Sequence, residues 1–289
     1  MQYEGNVFRP PSEANSILLQ VTTGCSHNKC TFCGMYKDQK FKIKSEESLL
    51  QDILFAANYC KNQHRVFLCD GDTLSISHNK LIHILELIRQ HLPWVNRVGT
   101  YANTKSIYHK TEKQLQELQQ LGLKIAYMGL ESGDDQTLAE INKGADSKRM
   151  IAMGQKIRRA GIKLSITVLL GIAGRERSHI HARETGRVLS SIDPEYVGAL
   201  SLMLVPGTPL FDEQRKGNFK LPEPLEMLQE IKIMLENTHM SRGQFHANHA
   251  SNYLPIKARM PRDKEKTVAL IQEALDGKIG LKPEYMRGL

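Results

Sequence analysis

The segment Ile17-Leu18-Leu19-Gln20-Val21 is a short apolar run, and Gly24-Cys25-Ser26-His27-Asn28-Lys29-Cys30-Thr31-Phe32-Cys33 follows it almost at once. The first stretch is typical of a buried strand, so the second is expected to form a loop at the carboxyl end of that strand. Three cysteines fall in this loop with the spacing C-x4-C-x2-C. Three thiolates are one short of a complete iron–sulfur or tetrahedral zinc ligand set. Either a distant residue supplies the fourth ligand, or that position is open for a substrate.

Composition indicates an ordinary globular protein. The chain has 289 residues, of which 40% are hydrophobic and 24% charged. No apolar run approaches the roughly 20 residues of a transmembrane helix, and the first residues lack the basic and apolar parts of a signal peptide. We therefore expect a cytoplasmic protein with no membrane partner and mainly reduced cysteines. The net charge of +8 is compatible with nucleic acid, with an acidic electron-transfer partner, or with an uninformative basic surface.

Apolar strands and amphipathic helices alternate along the chain. Strands are predicted near residues 16–23, 65–69, 97–101, 124–130, 163–170 and 196–205, with helices between them. This order favours an α/β fold with a parallel sheet, a partial (β/α)6 barrel of the TIM type. We expect a lead-in over residues 1–15, the barrel over 16–215, and a C-terminal helical extension over 216–289 that closes or covers it.

Polar residues and glycines gather where the predicted strands end. They are Asp70-Gly71-Asp72, Asn103, Glu131-Ser132-Gly133 and the turn Gly171-Ile172-Ala173-Gly174. Because the carboxyl ends of parallel strands meet at one edge of a sheet, we expect these residues and the cysteine loop to form one site. Each segment also has an ordinary structural interpretation, as a turn former or a helix-terminal residue.

The cysteine loop, with Phe32 just before its last cysteine, resembles that of the radical S-adenosylmethionine (radical SAM) superfamily. The commonest spacing there is C-x3-C-x2-C, so this loop carries one extra residue. The resemblance implies that Cys25, Cys30 and Cys33 hold a [4Fe–4S] cluster whose remaining iron is completed by SAM.

Later segments resemble the SAM-binding motifs of the same superfamily, in the same order. The resemblance implies that Gly71 and Asp72 hold the SAM amino group. It also implies that Glu131, in Gly-Leu-Glu-Ser with Ser132, takes the ribose hydroxyls and that Lys143 pairs with the carboxylate. In the same way, Gly171 would lie in the turn against adenine. Asn103, at the end of the third strand, is a further candidate for SAM binding.

The activity implied by the resemblance is reductive cleavage of SAM to a 5′-deoxyadenosyl radical, which abstracts hydrogen from an unidentified substrate. The pattern is most similar to the branch with oxygen-independent coproporphyrinogen oxidases and anaerobic cyclase-like enzymes. An electron donor such as flavodoxin or ferredoxin is then needed, and we expect a monomer acting on a small molecule. The alternatives are a radical SAM enzyme that modifies RNA, and a non-catalytic iron–sulfur or zinc protein with His27 as a possible zinc ligand.

Residues that would act on the second substrate are not identified by any motif. Cys69, beside the predicted SAM segment, is either a core thiol or a hydrogen donor. The polar segment His246–Asn252 either satisfies its own backbone or lines the substrate cavity, with His249 as an acid or base. A metal site at His246 and His249 would need a helix there and further ligands.

Overall fold

The computed structural model describes residues 1–288. Its strands are β1 (Ile17–Gln20), β2 (Thr22–Thr23), β3 (Lys42–Ile43), β4 (Arg65–Cys69), β5 (Arg97–Ala102), β6 (Leu123–Glu131), β7 (Lys163–Leu170), β8 (Tyr196–Ser201), β9 (Gly243–Ala247) and β10 (Ile256–Met260). Its α-helices are α1 (Glu46–Tyr59), α2 (His78–His91), α3 (Thr104–Tyr108), α4 (Glu112–Gln120), α5 (Asp135–Glu140), α6 (Ser147–Arg159), α7 (Gly174–Ile192), α8 (Pro209–Arg215), α9 (Pro224–Glu236) and α10 (Lys264–Leu275).

One large sheet is formed in the order β1-β4-β5-β6-β7-β8-β9-β10, and β2 pairs separately with β3. Strands β1, β4, β5 and β6 pair in parallel, as do β7, β8 and β9, whereas β10 runs antiparallel to β9. Parallel neighbours joined by helices are the βα pattern that the sequence predicts. The α/β class with a parallel sheet is confirmed.

The chain folds into two compact units, and the first comprises Met1–Asn28, Met35–Met128 and Lys156–Leu164. Its core is built on β4, where Phe67 and Leu68 are almost wholly buried. Helix α2 buries Leu81, Leu85 and Ile88 on one face, at the spacing of an amphipathic helix. The apolar runs therefore form the elements that their periodicity predicts.

A buried polar cluster lies near the start of the strands in this unit. Glu13 is fully buried, and it accepts hydrogen bonds from Arg97 at 2.6 Å, from Ser16 at 2.5 Å and from Tyr127. Arg97 opens β5, and Ser16 precedes β1. The carboxylate is therefore paired as a buried charge requires, and it anchors the lead-in segment.

The second unit comprises Lys29–Gly34, Gly129–Gln155 and the chain from Ser165 onward. Its central strands β7 and β8 bury Ile166, Val168 and Val197. Helix α9 buries Met234 and Leu235. Two strands of this unit lie in the region where the sequence predicts only helices and a polar segment, so the description of residues 216–289 as a helical extension is incomplete.

Three boundaries differ from the predictions. The strand predicted near residues 16–23 is divided into β1 and β2, and strand β8 ends at Ser201 rather than near residue 205. The stretch 245–253 opens as strand β9, so His246 and His249 do not share a helix face. The domain boundaries predicted near residues 15 and 215 stay predictions. Among residues 1–288, no helix is both long and apolar enough to cross a membrane.

Candidate functional site

The cysteine loop leaves the short strand β2 through Gly24. This glycine has a φ of +67°, and a Cβ there would lie 2.9 Å from the backbone oxygen of Gln39, so only glycine fits without strain. Cys25 follows in the first unit, and Cys30 and Cys33 lie in the loop segment of the second unit. All three are partly exposed, whereas Cys69 is buried. Partly exposed thiols remain open to metal, and soft thiolates are the usual ligands of iron–sulfur clusters.

Asp72 is the centre of the polar cluster at the strand ends of the first unit. Its Oδ2 accepts hydrogen bonds from Ser26 Oγ and from Asn103 Nδ2, both at 2.6 Å. Asn103 also caps α3, because its side chain accepts from the Ser106 backbone N–H at 2.8 Å. The residue next to the first cysteine and the residue that ends β5 therefore hold one oxygen of this carboxylate in place.

The other carboxylate oxygen of Asp72 has no such partner. Asp72 is 1% exposed, and within residues 1–288 its Oδ1 is buried without a hydrogen bond. Burial raises the pKa of Asp72 above its ordinary value, against hydrogen bonds from Ser26, Ser106 and Asn103 that lower it. A buried acceptor without a donor is costly, and a cationic N–H donor would relieve that cost. The first unit therefore fits the ammonium group of an amino-acid ligand at this position.

Asp70, in the same motif, has a different role. Its carboxylate accepts from Gln20 Nε2 at 2.8 Å, from the Phe8 backbone N–H at 3.3 Å and from Tyr36 at 3.4 Å. Burial raises the pKa of Asp70, while the same three donors lower it. Both oxygens are thus used within the protein, so Asp70 holds β1 and the lead-in segment to the end of β4.

Gly71 brings the end of β4 against the cysteine loop. A Cβ at this position would lie 2.8 Å from the Gly24 carbonyl oxygen and 2.9 Å from both Cα and Cβ of Cys25. These are mainly backbone atoms, which cannot move aside as a flexible side chain can. The small size of Gly71 therefore fixes the distance between Cys25 and the Asp72 segment.

We expect Gly71→Ala to displace the cysteine loop and to lower stability by about 1–3 kcal/mol, the usual cost of overpacking. Gly280→Ala is the matched control, since nothing lies within 4 Å of a Cβ built there. Thermal unfolding and iron content after reconstitution would be measured on both variants. A Gly71→Ala protein with unchanged stability and unchanged iron binding would contradict this close packing.

In the second unit, Glu131 and Lys143 form an ion pair. Lys143 Nζ lies 2.8 Å from Glu131 Oε1, and the two side chains are 16% and 10% exposed. Burial alone would lower the pKa of Lys143, but the Glu131 carboxylate, helped by Cys30 and Cys33, raises it. The electrostatic link between Lys143 and these cysteines places the pair near the second part of the cysteine loop.

Glu131 also has an unusual backbone. Its φ is +64°, in the left-handed region that non-glycine residues rarely adopt. Such strain is maintained only where surrounding contacts impose it, and it is frequent at functional sites. A Cβ at Gly129 would lie 2.1 Å from Glu131 Oε1 and 2.9 Å from Lys143 Nζ, so glycine leaves room for the ion pair.

Ser132 and Gly171, which the sequence predicts at the site, form hydrogen bonds with two side chains that no sequence motif indicates. Ser132 Oγ lies 2.8 Å from His181 Nδ1, and the Gly171 backbone N–H donates to Glu230 Oε1 at 2.6 Å. His181 and Glu230 are fully buried. No local motif could have revealed them: the other buried residues of α9 beside Glu230 are apolar, and His181 lies on α7 among small and apolar buried residues that include Ser178 and Thr185.

The catalytic candidates have the following surroundings. Cys69 is fully buried and contacts the Phe67 carbonyl oxygen at 3.5 Å, and burial raises its pKa well above the ordinary value. This favours the core-thiol interpretation. His249 Nδ1 lies 2.9 Å from Ser251 Oγ, and burial, then Lys282, lowers its pKa. These contacts are those of a self-satisfied turn, and a role for either residue stays a prediction.

The cysteine loop shows no arrangement for a single metal ion. Within the range that the structure describes, no group of three or more His, Cys, Asp or Glu side chains is placed to hold one. An iron–sulfur cluster differs in its demands, since each cysteine binds a separate iron. The donor set that the loop offers, three partly exposed thiols, is of the kind such clusters use.

Comparisons with known proteins agree with this chemistry. Residues 19–182 match the model of the radical SAM superfamily, which is more than half of the chain. The heme chaperone HemW of Bacillus subtilis is 22% identical over 186 residues, which is 64% of this chain and 47% of HemW. The uncharacterized protein MJ0486 of Methanocaldococcus jannaschii is 25% identical over 275 residues, covering 91% of this chain and 78% of that protein.

Solved structures with the same fold are also known. The radical SAM methyltransferase TsrM of Kitasatospora setae, with cobalamin and a [4Fe–4S] cluster bound, superposes with a TM-score of 0.57 at 18% identity, over 71% of this chain and 41% of TsrM. Coproporphyrinogen III oxidase HemN of Escherichia coli gives a TM-score of 0.55 at 15% identity, over 76% of this chain and 52% of HemN. The chain thus spans about half the length of HemW, TsrM and HemN.

The fold defines an α/β protein of the partial TIM-barrel type, whose three-cysteine loop follows the short strand β2. This chain belongs to the radical SAM superfamily. Its cofactors are those of the family, a [4Fe–4S] cluster and SAM. The resemblance stated from the sequence is confirmed, and the zinc alternative is thereby set aside.

Proposed function

We propose that this protein is a radical SAM enzyme that cleaves SAM reductively and uses the product to abstract hydrogen from a second substrate. The observation that carries the proposal is Asp72, a buried carboxylate with one unpartnered oxygen, fixed by the residue that follows Cys25. When bound, the cluster and SAM together supply a one-electron cleavage of a sulfonium C–S bond. The protein's part is to bind, orient and exclude water.

We assign the ligand-holding roles as follows. Cys25, Cys30 and Cys33 hold the cluster through their thiolates. Asp72 accepts a hydrogen bond from the SAM ammonium group through its unpartnered oxygen. Lys143 and Glu131, paired with each other in the free protein, would turn to the SAM carboxylate and to the ribose hydroxyls. Their mutual ion pair keeps two largely buried charges compensated until the ligand binds.

The test is spectroscopic and needs no second substrate. The protein is reconstituted anaerobically with iron and sulfide, reduced with dithionite, and examined by electron paramagnetic resonance before and after SAM is added. We expect the signal of the reduced cluster to change on adding SAM. A reduced cluster whose signal is insensitive to saturating SAM would overturn the proposal.

We also propose that the electron donor is an acidic protein such as a flavodoxin or ferredoxin. The segment that follows the cysteine loop, residues 35–43, exposes Met35 by 41%, Phe41 by 36% and Ile43 by 39%. The same segment carries exposed Lys37, Lys40 and Lys42, of which Lys42 pairs with Glu4, and a single acid, Asp38. Exposed apolar side chains interspersed with lysines complement an acidic partner, and charge sets mainly the rate of encounter.

We expect Lys40→Glu to slow the reaction driven by reduced flavodoxin, with a weaker effect at high salt. Dithionite is a small reductant that needs no docking surface, so the reaction that it drives should be unchanged. Lys113→Glu, an exposed lysine on α4, is the charge-matched control. Equal rates for Lys40→Glu and Lys113→Glu with flavodoxin would exclude this surface.

The second substrate is proposed to be a small organic molecule rather than RNA. Because an open iron site is sensitive to oxygen, the enzyme would work under anaerobic conditions. A cytoplasmic setting with a reducing thiol pool suits the cysteines and the electron donor.

A further inference from the structure

A buried polar relay links two strand-end turns of the second unit through α7 and α9. The first turn is that of Gly171, whose N–H donates to Glu230 Oε1 at 2.6 Å. Ser178 of α7 donates to the other oxygen of Glu230. His181 Nε2 lies 3.4 Å from Glu230 Oε1, and both side chains are fully buried. The Glu230 carboxylate thus accepts two hydrogen bonds, and His181 Nε2 lies beside it without a hydrogen bond among the described residues.

The relay continues from His181 to the second turn. His181 Nδ1 lies 2.8 Å from Ser132 Oγ, and Ser132 Oγ accepts from the Asp134 backbone N–H at 3.0 Å. With the proton of His181 on Nε2, Nδ1 is free to accept the hydrogen bond from Ser132, and Nε2 is left 3.4 Å from Glu230 Oε1. The turn is tied to α7 a second time, since the Gly133 N–H donates to Thr185 Oγ1 at 2.8 Å.

We infer that Glu230 and His181 are positioning residues, which set the two turns that carry Glu131, Ser132 and Gly171 at the spacing that SAM binding requires. The inference rests on the proposed function, since it concerns the same site. Both turns are conformationally demanding: Gly171 has a φ of +81°, and Glu131 has a φ of +64°. Turns of this kind need outside contacts to hold them, and the relay supplies such contacts from the protein interior.

Glu230 lies in the C-terminal region of the chain, on helix α9. Residue 230 lies outside the stretch 19–182 that matches the superfamily. A buried carboxylate is costly unless it is fully paired, so a glutamate in place of an apolar residue on the inner face of α9 needs a reason. The hydrogen bond that Glu230 accepts from the Gly171 turn is such a reason. Through it, the C-terminal region would help to shape the SAM site and would not only cover the barrel.

Glu230→Gln tests the inference, because glutamine keeps the shape but replaces one acceptor by a donor. We expect a rise of about tenfold in the Kd for SAM of the cluster-containing protein. Independently of any cofactor, backbone hydrogen exchange in peptides covering residues 131–134 and 171–174 should become faster in the apoprotein. Glu230→Gln with wild-type SAM affinity and wild-type exchange would overturn the inference.

Glu13→Gln is the matched control, since Glu13 is an equally buried glutamate with hydrogen-bonding partners in the first unit. It should lower the melting temperature but leave the Kd for SAM and the exchange of both turns unchanged. If Glu230→Gln does not fold, Ser178→Ala removes a single donor and takes its place, with the same two outcomes. A wild-type protein that binds no SAM would refute the proposed function, whereas the exchange data would still decide the relay.

Discussion

Cys30→Ala should abolish both cluster assembly and SAM cleavage, while Cys60→Ala should leave both unchanged. A [4Fe–4S] cluster with an open iron already has the minimum of three protein thiolates, and the loss of one leaves two. Cys60 caps the C-terminus of α1 and is partly exposed like Cys30, so it controls for the loss of a thiol as such. Iron and sulfide content, visible absorption and methionine release would be measured after anaerobic reconstitution.

The comparison of the two variants separates chemistry from folding. Thermal unfolding of the two variants without metal should be similar to that of the wild type, because neither thiol belongs to the buried core. A Cys30→Ala protein that keeps its cluster and its activity would show that the cysteine loop is not the ligand set.

Asp72→Asn should weaken SAM binding strongly and leave the cluster in place. Asparagine is nearly isosteric, but it removes the charge and can present an N–H to the SAM ammonium group. Hydrogen bonds to charged groups contribute about 1.5–3 kcal/mol, which corresponds to roughly a 10- to 100-fold rise in Kd. Equilibrium dialysis of radiolabelled SAM against the cluster-containing protein would measure this change.

Asp70→Asn is the control within the same motif, since both oxygens of Asp70 accept hydrogen bonds from donors of the protein itself. It should lower the melting temperature without a selective loss of SAM affinity. Wild-type SAM affinity should also fall as the pH is lowered through the raised pKa of Asp72, because protonation removes the charge that binds the ammonium group. If Asp70→Asn rather than Asp72→Asn impaired SAM binding, the two roles assigned here would be reversed.

Much of the barrel could be predicted from the sequence because its signals are local. After Arg65, strand β4 is an unbroken apolar run that is buried on both faces, and it covers the residues 65–69 at which a strand is predicted. Glycine and acidic residues mark the strand ends, where a parallel sheet gathers its functional groups. These features depend on neighbours in the chain, so periodicity and turn chemistry reveal them.

Strands β9 and β10 have an alternating pattern of buried and more exposed residues, but polar residues in these segments obscured it. In β10, Ile256, Ala258 and Met260 are buried while Lys257 and Arg259 are exposed, the alternation of a half-buried strand. In β9, Phe245 and Ala247 are buried and the intervening His246 is half-buried, so the histidine pattern suggested other chemistry. Strand β9 is stabilised by hydrogen bonds to β8, and no local sequence pattern predicts this pairing.

The polar pairings of the site are tertiary and lie beyond sequence reasoning. One carboxylate oxygen of Asp72 accepts hydrogen bonds from Ser26 and Asn103, which are far from it in the chain. Glu131 and Lys143 were assigned to different parts of SAM, yet in the free protein they pair with each other. Glu230 belongs to no motif in the sequence, and only the packing of α9 shows that it is buried.

Product analysis is the most direct measurement of whether this protein cleaves SAM reductively. Reconstituted wild-type protein is incubated anaerobically with SAM and dithionite, and methionine and 5′-deoxyadenosine are quantified by mass spectrometry. We expect the wild-type protein to form both products in equal amounts and Cys30→Ala to form neither. Wild-type protein with an intact, reduced cluster that forms neither product from SAM would contradict this expectation.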